Sequence, residues 1–171
     1  MLLPLFDNDD GPTNGDGQTV PDFVLPNVDG GNVQLSGLAE GRTAIVLVFH
    51  RGDSCSGCAA QLAEFQTGYA SLQSEGADIL AISLDSEENT RRMAERLGVT
   101  FPMLYDASTT IAAEYGVRDF LAGSYTTVTW IVDDRMRPFG NPAVTAEGEV
   151  LPAEVVLRAV RQGNATPTTR G

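Results

Sequence analysis

The chain has 171 residues, enough for one domain with a sizeable core, and 42% of them are apolar. Its 23 acidic residues stand against 11 basic ones, all arginine, for a net charge of −12. That balance argues against nucleic acid and anionic membrane surfaces as partners, and no apolar run approaches the roughly 18 residues of a membrane helix.

Acidity is spread along the whole chain, and lysine is missing altogether. At molar salt, screening removes self-repulsion while carboxylates keep a surface hydrated, so the composition reads as adaptation to high salt. The alternative is an ordinary acidic protein from a genome that favours arginine codons. Residues 1–6 lack a basic region and acid follows at once, which makes them a poor secretory signal. The expected compartment is the cytoplasm, where a lone cysteine pair is more often catalytic than structural.

Residues 1–17, acidic and rich in Gly, Asn and Pro after the first six, read as a disordered lead-in. Residues 20–26 read as a short edge strand, since Pro21 and Pro26 bar it from the centre of a sheet. Residues 27–32, with Gly30 and Gly31, predict a tight turn, and residues 33–35 the returning arm of a hairpin. Residues 43–49, with the run Ile45-Val46-Leu47-Val48-Phe49, predict a buried central strand. After Gly52, Asp53 and Ser54 comes Cys55-Ser56-Gly57-Cys58. Cys58, Leu62, Phe65, Tyr69 and Leu72 then follow helical spacing to about Ser74, with Gly76 as the stop.

A second buried strand is predicted over 78–84, so strand, helix and strand form a parallel βαβ unit with a right-handed crossover. Asp85 or Ser86 caps a helix to Leu97 that turns Met93 and Leu97 inward and keeps its charged face in water. Residues 101–106 are extended, and 109–115 are a brief helix closed by Gly116. Residues 125–132, β-branched and aromatic, predict a strand, and 136–139 pair back after the Asp133-Asp134 turn. Residues 141–148 read as irregular, 153–161 as a helix opened by Pro152 with Val156, Leu157 and Val160 buried, and 163–171 as a disordered tail.

The placement of the cysteines favours chemistry. The first N–H groups of a helix have no intrahelical partner, and the helix dipole adds partial positive charge there. A thiolate at that point is stabilised, so its pKa falls below the free value of about 8.5. Two cysteines three apart also close a small disulfide, so each thiolate is resolved by the other. Two other readings exist. The pair could be small core residues, for which the flanking Ser, Gly and Asp are a poor context. It could bind zinc, but the chain offers only His50 as a further nitrogen or sulfur ligand, so no metal or cofactor is expected.

This order of elements resembles the thioredoxin fold: an α/β domain over residues 18–162, with a central mixed sheet flanked by helices and an N-terminal β-hairpin. More narrowly, it resembles the peroxiredoxins of the alkyl hydroperoxide reductase / thiol-specific antioxidant (AhpC/TSA) family. The matching stretches are Val20-Pro21-Asp22-Phe23-Val24-Leu25-Pro26, Val46-Leu47-Val48-Phe49-His50-Arg51-Gly52, Cys55-Ser56-Gly57-Cys58, Ile79-Leu80-Ala81-Ile82-Ser83 and Thr129-Trp130-Ile131-Val132-Asp133. Aligned on Phe49, Cys58 falls on the family's peroxide-reducing cysteine. Cys55 falls on its threonine, which is also where thioredoxins place their attacking cysteine. Arg51 stands where the family has proline, and Ser54 where the subgroup has tryptophan. The family's late arginine and thioredoxin's cis-proline would both fall near Thr127.

The resemblance implies an antioxidant thiol peroxidase. Its substrate would be a hydroperoxide and its reductant a thioredoxin-like dithiol protein, with a homodimer open as the assembly. On that reading Cys58 attacks the peroxide, Cys55 resolves it, and Arg51 holds the thiolate and polarises the peroxide. Arg118 is a weaker candidate for that last role, and either arginine could be plain surface charge. His50 is either a half-buried histidine ending the strand or a proton donor to the leaving oxygen. The alternatives are a thioredoxin-like thiol–disulfide oxidoreductase with Cys55 as nucleophile, and a redox-inert binding module of the same fold.

Overall fold

The structure, a computed structural model, describes residues 19–165. β1 (Val24–Pro26) and β2 (Asn32–Gln34) form the expected antiparallel hairpin. It docks on the edge of the main sheet, where the Val28 N–H donates to the Met103 carbonyl at 3.1 Å. The five main strands are β3 (Ala44–His50), β4 (Ala77–Ser83), β5 (Met103–Tyr105), β6 (Tyr125–Val132) and β7 (Ala143–Ala146), in the order β5-β4-β3-β6-β7. β3, β4 and β5 run parallel, while β6 and β7 are antiparallel to their neighbours, so the sheet is mixed.

β3 is buried on both faces, which is why it reads as an unbroken apolar run. Val46 and Val48 face a layer built from α2 (Ser56–Ser74), α3 (Glu87–Leu97) and α6 (Ala153–Ala165), with Leu62, Phe65, Leu72, Met93, Val156 and Val160 in the shared core. Ile45, Leu47 and Phe49 face the opposite layer of hairpin, α1 (Leu35–Ala39), α4 (Thr110–Glu114) and α5 (Arg118–Ala122). The fold is the expected one: helices cover both faces of a mixed sheet. Among the described residues no helix is long and apolar enough to cross a membrane.

α2 and α6 are locked together by Gln61, a fully buried side chain. Its Nε2 donates to the Leu151 carbonyl at 2.9 Å, and its Oε1 accepts the Leu151 N–H at 2.7 Å. Two turns further on, a side chain at Gly68 would place its Cβ 2.5 Å from that of Ala153, so only glycine allows this approach.

Several boundaries differ from the sequence reading. Residues 141–148 are not irregular throughout: β7 pairs with β6 and closes the sheet on that side. α1 and α5 are helices that the pattern did not predict. Leu35, expected on the hairpin arm, instead opens α1. Residues 136–139 pair back without forming a strand, through an isolated Val132–Pro138 bridge, the Asp133 N–H on the Arg137 carbonyl and the Phe139 N–H on the Ile131 carbonyl. α6 runs past Arg161 to Ala165, so the first residues of the expected tail are helical. The expected lead-in, residues 1–17, and the rest of that tail lie outside the described residues.

Candidate active site

β3 ends at His50, and the chain turns through residues 51–54 into α2. Gly52 makes the turn at φ +113°, with its backbone so close to Asp85 that an added Cβ would lie 2.5 Å from the Asp85 Cβ. The Asp85 carboxylate, at the start of the link into α3, stitches the turn down. It accepts the Asp53 N–H at 3.2 Å, the Ser86 N–H at 2.8 Å and the Asn89 Nδ2 at 2.9 Å. Burial pushes the Asp85 carboxyl up, but those hydrogen bonds outweigh it and hold the group below its ordinary value. The Asp53 carboxylate meets Arg96 at 3.0 Å and Arg92 at 3.3 Å, so α3 grips the turn twice.

Cys55 and Cys58 are joined in a disulfide, with Cα atoms 5.2 Å apart. Cys55 is the N-cap of α2, and its Sγ accepts the Cys58 N–H at 3.1 Å. Cys55 is 2% exposed and Cys58 not at all. Cys58 Sγ accepts the Arg51 N–H at 3.4 Å and lies 3.2 Å from the Thr126 carbonyl oxygen. The β3–β6 ladder ends at the pair His50–Thr127, so Arg51 and Thr126 would form the next rung. The sulfur occupies that rung. Thr126 is the extra residue of a bulge between β6 and β7, and such bulges recur beside active sites, where they re-aim the chain. At the same helix start, Ser56 Oγ donates to the Glu147 carboxylate at 2.9 Å.

Beneath this helix start a polar row crosses the sheet. Ser83, His50, Thr127 and Thr145 stand in register on β4, β3, β6 and β7, and all are fully buried. The Thr127 and Thr145 hydroxyls are hydrogen-bonded to each other. Among the described residues neither His50 ring nitrogen has a hydrogen-bond partner. Burial lowers the His50 pKa to about 4, with the Asp85 charge opposing.

The site thus gathers Cys55, Cys58, His50 and Arg51, but Arg51 contributes its backbone. Its side chain is exposed, with no ion pair or hydrogen bond among the described residues. Arg118 stands at the start of α5, 4.0 Å from Asp119, and among the described residues no hydrogen bond or ion pair joins it to the cysteines. His50 is wholly buried, not half-buried, because β6 and β4 flank it on both sides. Ser54 is exposed, and Thr127 sits in the polar row. Sequence reasoning did not find Asp85 as the clamp of the turn, Thr126 or Glu147. The one available signal was Asp85 as a helix cap.

The family model described as AhpC/TSA matches residues 17–137. The chain belongs to the AhpC/TSA family. Within it, the chain is 32% identical over 108 residues to a chloroplastic peroxiredoxin Q of Sedum lineare, a match covering 63% of this chain and 57% of that protein. It is 31% identical over 102 residues to the thiol-disulfide oxidoreductase ResA of Geobacillus thermodenitrificans, covering 59% of this chain and 57% of that one. The match therefore spans little more than half the length of these AhpC/TSA-like relatives. The crystal structure of Enterococcus faecalis AhpC superposes with a TM-score of 0.75 at 23% identity, over 87% of this chain and 92% of that one. The peroxidoxin BcpB of Mycobacterium tuberculosis does so with a TM-score of 0.69 at 22% identity, over 89% and 97%. Both likenesses are of fold.

Proposed function

We propose that this chain is a thiol-dependent peroxidase that reduces hydrogen peroxide or organic hydroperoxides through Cys58 and Cys55. The observation that carries the reading is the Cys55–Cys58 disulfide at the start of α2, set in an AhpC/TSA chain. In the reduced form the Cys58 thiolate attacks the terminal peroxide oxygen. The O–O bond breaks, Cys58 becomes a sulfenic acid, and the departing oxygen leaves as water or alcohol. The Arg51 N–H is placed to stabilise negative charge on that sulfur. The Cys55 thiol then condenses with the sulfenic acid, releasing water and forming the disulfide. A thioredoxin-like dithiol protein reduces it, becoming a disulfide itself. The Arg51 guanidinium, free of other partners among the described residues, attracts the anion at the mouth.

One observation favours a second reading. Cys55 is the more exposed sulfur and carries the Cys58 N–H, as an attacking cysteine of a thiol–disulfide oxidoreductase would. A single assay separates the two. Peroxide consumption and insulin-disulfide reduction are measured for wild type, Cys55→Ser and Cys58→Ser at high salt. The peroxidase reading expects Cys58→Ser to lose peroxide turnover by at least about a hundredfold. Cys55→Ser should complete one oxidation and then stall. If Cys58→Ser keeps its peroxidase activity and Cys55→Ser loses it, the roles are reversed. Insulin reduction without peroxide turnover supports the second reading. The lone cysteine pair and the acidic, lysine-free composition support a cytoplasmic setting at high salt for this enzyme.

A further inference from the structure

One titratable group at the site takes no part in those steps. His50 is the chain's single histidine, fully buried, with both ring nitrogens unpartnered among the described residues. An apolar side chain would fill the same place without stranding two polar atoms. Strand alternation points His50 to the same face as Val46 and Val48, the face covered by α2. Cys58 Sγ lies at the next rung of the same strand pair, bounded by the Arg51 amide and the Thr126 carbonyl, the residues adjoining His50 and Thr127.

The charged and titratable groups around His50 are few. α2 brings the two cysteines, and Glu147 accepts from Ser56 with one carboxylate oxygen while the other lies against Gly57. The link between β4 and α3 brings Asp85, whose charge His50 feels. β4, β6 and β7 bring the uncharged hydroxyls of Ser83, Thr127 and Thr145. In the turn, Asp53 is occupied by Arg92 and Arg96, and the Arg51 side chain is in solvent.

We propose that His50 is the proton partner of Cys58: when the disulfide opens, His50 takes up a proton and holds it, as imidazolium, against the Cys58 thiolate. The proposal rests on the thiol reading of the site but not on peroxide as the oxidant. The balance is as follows. A dithiol donor loses two electrons and two protons to the Cys55–Cys58 bond and becomes a disulfide. One proton ends on the Cys55 sulfur and one on His50, leaving Cys58 as thiolate. When Cys58 is next oxidised by a hydroperoxide, the O–O bond breaks, an S–O bond forms, and the His50 proton neutralises the departing alkoxide or hydroxide. In the disulfide form the neighbouring sulfur is neutral, and burial outweighs the Asp85 charge and keeps the ring unprotonated. A thiolate beside it reverses that preference, because opposite charges attract strongly where water is excluded.

The test uses wild-type protein. With one histidine in the chain, imidazole NMR reports His50 alone. The titration is run on the disulfide form and on protein held reduced by a phosphine. Reduction should raise the His50 pKa by at least about one unit, a tenfold gain in proton affinity. Identical titrations in the two states overturn the proposal. A second measurement follows Cys58 thiolate by its ultraviolet absorbance in Cys55→Ser, with and without His50→Gln. The thiolate should form about one unit higher when the imidazole is gone; an unmoved curve in folded protein also overturns it. Neither experiment reads peroxide turnover. A redox-dependent His50 without peroxidase activity would sink the proposed function and leave this inference standing, and the converse would sink only this inference.

Discussion

His50 shows how one residue sets a pH window for stability. In the folded disulfide form burial holds its pKa at about 4, against an ordinary value of 6.5. Between those values the unfolded chain binds a proton that the folded chain refuses. Stability is therefore full above pH 6.5, is lost as pH falls through the window, and levels off near pH 4. For so deeply buried a group the loss amounts to about 3 kcal/mol. Urea midpoints of the disulfide form should drop accordingly between about pH 7 and about pH 4. His50→Phe, which cannot ionise, should flatten that part of the profile, leaving only the slope of carboxylates such as Asp85, whose lowered pKa acts in the same direction. An unchanged slope in the variant would show that the ring is not what the unfolded chain protonates.

At the scale of elements, the contact that matters most outside the redox turn is the Gln61 clamp between α2 and the lead-in to α6. Gln61→Ala leaves a buried N–H and a buried carbonyl of Leu151 without partners, a cost of about 3 kcal/mol. Urea melts should show that loss, while thiol titration of the reduced protein changes little. The βαβ unit was legible because β3 and β4 are apolar runs buried on both faces and α2 repeats its apolar residues every turn. β7 was not, since Ala143-Val144-Thr145-Ala146 is a run of four in which two alanines dilute the strand preference of Val144 and Thr145, and it is extended because β6 is beside it. α1 and α5, five residues each, are too short to show a period. α1 starts where it does because Asp22 accepts the N–H and hydroxyl of Ser36. The cysteines were legible from their spacing. Their surroundings were not: Asp85 comes from the link between β4 and α3 and Thr126 from β6, and Thr126 follows Cys58 by 68 residues. The Arg51 side chain was expected at the sulfur, but the end of β3 turns it outward and presents the amide.

Over the whole molecule, carboxylates outnumber arginines by about two to one. Ion pairs such as Arg91–Glu87, Arg137–Asp133 and Arg161–Glu75 engage most arginines of the described residues, yet many acids remain uncompensated. Exposed pairs of this kind are each worth only about 0–1 kcal/mol, so screening them loses little, while screening the net charge relieves repulsion everywhere. The melting temperature should therefore rise from dilute buffer to molar KCl; a flat or falling curve would count against a high-salt protein. The sulfur of Cys58, lodged where Arg51 and Thr126 would otherwise join, has an effect on the architecture as well as on the chemistry. It is the stop at which the zipper of β3 and β6 ends one tooth early. The chain beyond is thereby released to bend toward the helix, so the Cys58 sulfur itself fixes where its own loop begins.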